Sequence, residues 1–378
     1  MSRKNITILY SDRPFTLNYT LLPLTKSKYK KEFNFVRFSG SNTFKGSGKA
    51  ILAVGIFNHK KEQRHSLTRS DEDDRILLNN LRQNFDSIAV FEDGDGAQIQ
   101  SPHILDLVDV YYKKQKIKSK YLDRGYFYGS RIFTDYYYNY FGVMDGQEVC
   151  HKLPPKEDQN KIKILWNIGM VGYNVHKNLA KIAIDKYIKN FNKNMIKRPY
   201  PLFVSNKNEL KKVRWPKQRI PKIGARFSRD SSKNMQIKFH RKLFMKKIGN
   251  TKKVRVGPIN KLSYLKELFY LEGSISPFGH GEICFRDFES VIAGSALIKP
   301  NMDHVETFPD IYQPYYTYFP VKWDASDLEN ICDKVLFATN QSREIASNAW
   351  QLYINQLEFV DSRVKMLIED LLDSSRLF

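Results

Sequence analysis

The sequence predicts an α/β protein in which two domains, each a parallel sheet covered by helices, face a cleft and are followed by C-terminal helices. Three observations lead to this fold class. Short apolar runs bounded by turn residues alternate with a helical pattern in the first half of the chain. A proline-rich stretch near 198–221 interrupts the alternation, which then resumes. The tail has apolar residues spaced three and four apart, as in amphipathic helices.

The first half has four apolar runs of the length of buried strands. A helical pattern lies between the first two runs, where Ser70 can cap the helix and acidic residues fill its first turn. Strand, helix and strand with continuous apolar runs are typical of a Rossmann-like parallel sheet. The predicted strands cover residues 51–57, 87–93, 107–112 and 163–168.

The second half repeats this pattern after the prolines. Helices are predicted around 235–248 and 262–271, and the tail from Ser342 to Leu372 predicts one or two amphipathic helices. Alternating strands and helices again indicate a parallel sheet. The predicted strands cover residues 222–228, 252–258, 274–277 and 296–300.

The length of 378 residues suits two domains. Because 42% of the residues are hydrophobic, both domains can bury a core and disorder is not expected. The proline-rich stretch is the expected junction between them. We therefore expect a first domain over residues 1–215, a second over 216–345, and helices over 346–378 that pack on the body.

The formal charge of +22 is concentrated in one segment. Residues 181–260 contain 24 Lys/Arg and 3 Asp/Glu, which leaves a net charge of about +1 for the rest of the chain. Such a segment suits a solvated face, a polyanion groove, a phosphate-bearing ligand or an anionic membrane surface. No zinc-finger spacing, RNP-like motif or heptad-linked basic region accompanies it, so nucleic acid is not the expected partner.

The three cysteines, Cys150, Cys284 and Cys332, are odd in number and widely separated. They support neither a disulfide framework nor a structural zinc site. No apolar run approaches the ~18 residues of a membrane span, and charged residues occupy the place of the apolar run of a secretion signal. We expect a cytoplasmic protein, with a peripheral membrane association suggested by the basic segment.

The most informative stretch is SPFGHGEICFRDFESVIAGSALIKP, residues 276–300. Gly279 and Gly281 predict a tight turn, and from Glu282 the pattern is helical, with Glu282, Arg286 and Glu289 along one polar edge. Gly294 is expected to end the helix. A glycine turn that enters a helix in a Rossmann-like unit is suited to phosphate, because unpaired backbone N–H groups point outward there.

The pattern G-x-G-E-x-C-x-R-x-x-E-S-x-x-A-G over 279–294, followed by an apolar strand, resembles the donor-binding element of GT-B glycosyltransferases. The similarity is to the exostosin-like families and to bacterial and viral glycosyltransferases. It implies that Glu289 binds the nucleotide ribose and that Arg286 neutralises the donor diphosphate. Glu282 stands one position later than the first glutamate of the related two-glutamate pattern. The predicted donor-binding residues are Arg226, Gly279, His280, Gly281, Glu282, Arg286 and Glu289.

Two carboxylates follow the second predicted strand. Asp93 and Asp95 in FEDGDGA fall on a loop at the carboxyl end of that strand, which should face the second domain. An inverting transferase needs a carboxylate base near the acceptor hydroxyl, and these two are the candidates. An alternative remains open, because D-G-D also resembles the D-x-D metal site of GT-A transferases. In the preferred interpretation no cofactor and no divalent metal are expected.

Arg131 and Asp135 in YGSRIFTDYYYNYFG are similar to the same enzymes and are predicted to lie on the acceptor side. The nearby tyrosines are candidates either for stacking on sugar rings or for packing, and they are Tyr126, Tyr128, Tyr136, Tyr137 and Tyr138.

The resemblance implies a glycosyltransferase that moves a sugar from a nucleotide-sugar donor to a hydroxyl of a glycan or glycolipid acceptor, without metal and with inversion. Three alternatives stay open. One is a GT-A-like, metal-dependent transferase that uses Asp93 and Asp95. Another is a basic nucleic-acid-binding protein that uses residues 181–260, and the last is a glycan-binding module without catalysis.

Overall fold

The computed structural model describes residues 5–13, 15–57, 70–122, 126–129, 131–144, 151–152, 154, 156–171, 211, 213–228, 235–249 and 251–373. The first part of the predicted junction at 198–221, and much of the basic segment over 181–260, lie outside these residues. The strands, in chain order, are Ile6–Tyr10 (β1), Phe33–Arg37 (β2), Gly48–Val54 (β3), Phe85–Glu92 (β4), Val110–Lys113 (β5), Gln115–Ile117 (β6), Tyr126–Phe127 (β7), His151–Lys152 (β8), Ile162–Ile164 (β9), Ile220–Ala225 (β10), Val254–Val256 (β11), Leu271–Ile275 (β12), Ala296–Pro300 (β13), Val305–Thr307 (β14) and Phe319–Val321 (β15).

The α-helices are built mostly from amphipathic segments. Ser70 caps the second helix by accepting from the backbone N–H of Asp73 at 3.0 Å, as predicted. The α-helices of the described part of the chain are Leu22–Lys26 (α1), Asp71–Arg82 (α2), Ile132–Phe141 (α3), Met235–Ile248 (α4), Lys261–Tyr270 (α5), Phe285–Ala293 (α6), Leu328–Phe337 (α7), Thr339–Leu357 (α8) and Val360–Leu372 (α9).

The first sheet has six parallel strands in the order β2-β1-β3-β4-β5-β9. Alternate residues of its strands point to two different cores, so Ile51 and Leu52 of β3 lie on opposite faces. Helix α2 covers one face, and α1 and α9 cover the other. Strands β1 and β2 were not predicted from the sequence.

The second sheet has five parallel strands in the order β11-β10-β12-β13-β15. Helices α4 and α7 pack on one face. Helices α5, α6 and α8 pack on the other, in a core that continues into the first domain. The two halves are also joined by the antiparallel pair of β6 with β14.

The helix after the glycine turn begins at Phe285, three residues later than predicted. The carboxylate of Asp287 accepts a hydrogen bond of 2.9 Å from the backbone N–H of Cys284, which is the N-cap residue. This bond ends the non-helical turn, so Glu282 lies before the helix and not on its polar edge. Gly294 ends the helix in the left-handed conformation, as predicted.

The two C-terminal helices pack on different halves of the molecule. Helix α8 packs on the second sheet through β12 and β13, whereas α9 crosses to the first sheet and packs on β3 and β4. Asp370 of α9 accepts hydrogen bonds of 2.7 Å from Tyr112 and from Lys163. None of the described helices is long and apolar enough to cross a membrane.

The carboxyl ends of both parallel sheets border one cleft, and the last helix returns to the first sheet. Two Rossmann-like units that face a cleft in this way are the GT-B arrangement. The predicted fold class is confirmed.

Candidate functional site

The cleft has a volume of about 1850 Å³. Ligand pockets for small molecules are commonly ~300–1,000 Å³, so this cleft can hold two reactants at once. Its walls come from the loops that follow β1, β4, β5 and β9 of the first sheet and β10, β11 and β12 of the second. This is where ligands bind in open α/β sheets.

The described walls of the cleft are strongly basic. They carry only two acidic side chains, those of Asp95 and Glu289. Such an excess of positive charge favours an anionic ligand. The seven basic side chains are Lys114, Arg226, Arg241, Lys242, Lys246, Lys261 and Arg286.

Arg286 projects from the first turn of α6 into the cleft. Its Nη2 donates to the carbonyl oxygen of Arg226 at 3.2 Å, and its guanidinium lies 5.9 Å from the ring centroid of Phe227. Its Nε has no hydrogen-bond partner among the described residues. Because Nε is buried, these contacts hold the guanidinium in place at the wall of the cleft.

Glu289 lies one turn further along α6 and also lines the cleft. Lys261 donates to its Oε1, and the hydroxyl of Tyr264 donates to its Oε2 at 2.8 Å. No ion pair joins Glu289 to Arg286 in the described part of the chain. A simple ion pair on the helix surface therefore does not account for the R-x-x-E spacing.

Arg226 follows β10 at the rim of the cleft. It makes a bidentate pair with Glu267, at 2.7 Å and 2.6 Å, and also donates to the carbonyl oxygen of Gly257 at 3.0 Å. Burial would raise the pKa of Glu267, but the hydrogen bonds and charges of Arg226 and Arg255 together outweigh it, and the pKa lies below its ordinary value. The charge of Arg226 is thus matched by a carboxylate, and its predicted role in binding a diphosphate stays a prediction.

The glycine turn before α6 is fixed from behind by a buried polar network. Asp287 accepts a hydrogen bond from Tyr312 at 2.8 Å and forms an ion pair of 3.0 Å with Lys299. In front of this network, the N–H of Gly279 donates to the carbonyl oxygen of Gly281 at 3.0 Å. His280 lies between the two glycines and is exposed in the cleft.

Glu282 does not line the cleft. Its side chain is completely buried, and its Oε2 accepts from the backbone N–H of Ala97 at 3.2 Å and from Nε2 of Gln115 at 2.8 Å. Both donors belong to the first sheet's half of the molecule. The predicted sugar contact by Glu282 is therefore wrong for this structure, because the carboxylate is buried away from the cleft and its Oε2 is bonded within the protein.

Asp93 also lies outside the cleft, contrary to its prediction as a catalytic base. Its side chain is completely buried and accepts hydrogen bonds from Arg13, from Thr16 at 2.5 Å and from Thr20 at 3.2 Å. These donors lie before and within a π-helical turn over Thr16–Thr20. Asp93 thereby holds that turn in place.

Asp95 lines the cleft, and its side chain is 54% exposed. Lys114 donates to its Oδ1 at 3.3 Å. The crowded cleft wall would raise the pKa of Asp95, but the charges of Lys114, Arg131 and His280 outweigh this effect and the pKa lies below its ordinary value. Of the two candidate bases, only Asp95 reaches the space where a substrate would bind.

Arg131 and Asp135 are buried at the start of α3, outside the cleft lining. Asp135 accepts from the backbone N–H of Tyr128 at 2.9 Å and so shapes the turn before the helix. The hydroxyl of Tyr137 lies 2.5 Å from Nδ1 of the buried His240. Tyr137 is therefore a packing residue, which settles the choice between sugar stacking and packing for this tyrosine.

In the parts of the chain that the structure describes, no group of three or more His, Cys, Asp or Glu side chains is placed to hold a metal ion. The D-x-D alternative needs both aspartates at one site, whereas Asp93 is surrounded by hydrogen-bond donors of the first domain.

Several residues of the cleft escaped the sequence analysis. Phe15, Tyr19 and Phe285 form an aromatic wall. The ring centroids of Phe15 and Tyr19 are 4.9 Å apart, and those of Tyr19 and Phe285 are 4.8 Å apart. Lys114 lies over the Phe15 ring at 4.3 Å. A position two residues after a predicted strand, that over 107–112, was the one signal that could have identified Lys114.

The sequence matches no protein-family model and no curated protein. Among solved structures, a glycosyltransferase from Rickettsia africae has a TM-score of 0.45 and 10% identity over 98% of this chain and 99% of its own. Anabaena HepE in complex with UDP has a TM-score of 0.45 and 10% identity over 97% and 99%. The N-terminal domain of Candida albicans trehalose-6-phosphate phosphatase reaches 0.48 and 10% identity over 98% and 97%. Similarity this distant carries no argument about activity, which must be inferred from the cleft.

Proposed function

We propose that this protein transfers a sugar from a nucleotide-sugar donor to a hydroxyl group of an acceptor. The observation that carries the proposal is the cleft itself, in which Asp95 of one half faces a basic wall containing Arg286 and Glu289 of the other. A donor diphosphate requires cations. The acceptor hydroxyl, which attacks the sugar from the side opposite the diphosphate, requires a base. The volume of about 1850 Å³ leaves room for both substrates.

On the donor side, Arg286, which lines the cleft, would bind the diphosphate through its guanidinium. Glu289 would accept hydrogen bonds from the hydroxyl groups of the nucleoside ribose. Lys261 and Tyr264 would keep its carboxylate in position. His280 would reach the leaving phosphate from the turn before α6. Positive groups would then stabilise the charge that develops on the leaving nucleoside phosphate.

On the acceptor side, Asp95 would remove the proton from the attacking hydroxyl. With a pKa below its ordinary value, this carboxylate is ionised over the neutral range and can accept a proton. The acceptor would be a glycan or glycolipid that lies along the aromatic wall formed by Phe15, Tyr19 and Phe285. Direct attack from this side would invert the anomeric centre.

The donor assignment can be tested by binding. A panel of sugar nucleotides is first screened by thermal shift, where a ligand at 100 times its Kd should add about 2.7 kcal/mol of stability. The Kd of the best donor is then measured calorimetrically for R286A and E289A. Both should bind at least about tenfold more weakly, a loss of about 1.4 kcal/mol.

The matched control is R82A, because Arg82 forms an ion pair with Asp109 away from the cleft. This variant should bind the donor like the wild type. Unchanged donor affinity in both R286A and E289A would contradict the site. Binding of nucleic acid to the wild type without any turnover of a sugar nucleotide would favour the alternative based on residues 181–260.

Metal independence and inversion need separate measurements. Transfer should continue in EDTA, and complete loss that Mn²⁺ restores would contradict the metal-free mechanism. The anomeric configuration of the first-formed product, followed by NMR, should be opposite to that of the donor. Retention would exclude Asp95 as a base in a single displacement.

Membrane association remains a proposal drawn from the basic segment. Liposomes containing anionic lipid should bind the full chain at low salt and release it as the ionic strength rises. Failure to bind at low salt would contradict it.

A further inference from the structure

Glu282 connects the two halves of the molecule behind the cleft. It lies in the turn that leads to Arg286 and Glu289, yet the donors to its carboxylate Oε2 among the described residues, Ala97 N–H and Gln115 Nε2, belong to the other half. Gln115 Nε2 also donates to the carbonyl oxygen of Asp95 at 2.6 Å. Glu282 therefore holds the Ala97 end of the loop 95–97 directly and its Asp95 end through Gln115.

Gly281 brings the same two segments into direct backbone contact. A Cβ atom built on Gly281 would lie 1.6 Å from the carbonyl oxygen of Asp95, so no side chain fits at this position. Gln115 is itself fixed, because it lies in β6 and pairs with Thr307 of β14. The turn on the donor side and the loop that carries Asp95 are consequently one connected unit.

The second oxygen of Glu282 has a different environment. Oε1 lies 3.8 Å from Nε2 of His304, which is also buried, and has no hydrogen-bond donor among the described residues. Protein therefore encloses Glu282 on the side of His304 as well. Its carboxylate thus acts on the polypeptide and has no access to a ligand in the cleft.

We propose that Glu282 is a positioning residue, which fixes the loop 95–97 so that the carboxylate of Asp95 is held in the cleft opposite the donor residues. This inference rests on the proposed function. It also assigns to Glu282 a task other than the sugar contact that the sequence pattern implied. Through Glu282 and Gly281, the segment that binds the donor also determines where the base stands.

The test compares two substitutions at one position in the full chain. Glu282→Met has similar length but no acceptor, so Ala97 N–H and Gln115 Nε2 lose their partner. Glu282→Gln keeps one carbonyl oxygen as an acceptor, so its amide exchange and its kcat should be close to those of the wild type. Gln115→Leu removes the same link from the other side and serves if Glu282→Met does not fold.

The first measurement is hydrogen–deuterium exchange of the peptide that contains residues 95–97. Exchange should be at least about tenfold faster in Glu282→Met than in the wild type, and close to the wild type in Glu282→Gln, because a lost hydrogen bond opens the amide locally. Unchanged exchange in Glu282→Met would overturn the inference. This result does not depend on whether the protein is a transferase.

The second measurement separates positioning from sugar contact. With the sugar nucleotide selected by thermal shift, kcat for donor consumption should fall about 100-fold in Glu282→Met, the scale of a small misplacement, while the affinity for the donor stays within about twofold. The acidic limb of the pH profile should also move, since Asp95 would leave Lys114, Arg131 and His280. A tenfold loss of affinity for the sugar nucleotide, with unchanged affinity for the corresponding nucleoside diphosphate, would instead mean direct sugar contact and overturn the inference.

If the wild type binds no sugar nucleotide, the proposed function fails. The exchange measurement still decides in that case whether Glu282 holds the loop. The two failures are therefore distinguishable.

Discussion

Asp93 and Asp95 are two positions apart, yet one carboxylate is completely buried and the other is 54% exposed in the cleft. Asp93 is surrounded by donors from residues 13–20, whereas Asp95 has Lys114 beside it. The loop after β4 thus separates a structural acid from one that a substrate can reach.

Removal of Asp93 should destabilise the protein. In D93A the guanidinium of Arg13 loses its carboxylate and two buried threonine hydroxyls lose their acceptor. The free energy of unfolding should therefore fall by about 3 kcal/mol. Urea denaturation measures this change. The control is D86A, because Asp86 is exposed, and its unfolding free energy should change by no more than about 0.5 kcal/mol. A D93A variant as stable as D86A would contradict the structural role.

Removal of the Asp95 charge should affect turnover and not stability. D95N should lower the rate of donor consumption by about 10²–10⁴-fold, the usual contribution of a general base. Its unfolding free energy should stay within about 1 kcal/mol of the wild type, because the side chain is exposed in the cleft. Full activity in D95N would eliminate Asp95 as the base.

The charge of Lys114 should determine how far activity extends into acid. The base works when Asp95 is deprotonated, and its lowered pKa keeps it deprotonated as the pH falls. In K114M one of the charges that lower this pKa is lost, so the pKa rises and activity is lost at a higher pH. The pH profile of kcat/KM shows the shift. An acidic limb that stays in place would mean that another group controls it.

A side chain at position 281 should push the two halves apart. G281A places a methyl group against the carbonyl oxygen of Asp95, and overpacking of this kind costs about 1–3 kcal/mol. Donor affinity and turnover should fall together. The control is G142A, where a Cβ atom meets nothing within 4 Å and only the left-handed backbone conformation opposes alanine, at about 1 kcal/mol. Equal donor affinity in both variants would contradict a contact important for the site.

His240 should make stability depend on pH. Its Nε2 accepts from the N–H of Phe278 at 3.0 Å, and burial holds its pKa well below the ordinary value of 6.5. Below pH 6.5 the unfolded chain takes up a proton that the folded protein refuses, so stability falls as the pH falls, by at most about 1.4 kcal/mol per pH unit.

Urea denaturation between pH 7 and pH 5 checks this sign, and H240Q should flatten the slope. A slope that is unchanged in H240Q would assign the pH dependence to other groups.

The sequence contains enough information for the layered fold because its signals are local. The helix over Met235–Ile248 and the end of α6 at Gly294 follow from apolar spacing and from a glycine, and both agree with the structure. The start of α6 was predicted too early, since Cys284 is an unusual N-cap residue. Asp287, three positions after Cys284, was the residue in the sequence that indicated the true start of the helix.

The candidate site depends on contacts that are remote in sequence. Phe15 and Tyr19 reach the cleft on a turn that Asp93 holds from 77 residues away, and Glu282 meets Gln115 across 167 residues. No spacing rule relates such pairs. The pattern around Glu282 therefore predicted a ligand contact where the tertiary structure makes a contact between domains.

The return of α9 to the first sheet makes the first half of the molecule discontinuous along the chain. Residues 360–372 cover β3 and β4, although the whole second sheet is translated before them. The amino-terminal unit is thus complete only once ribosomal synthesis has passed Leu372. To express it alone, one would fuse this helix behind β9 through a short linker, and a simple truncation would leave its sheet uncovered on one face.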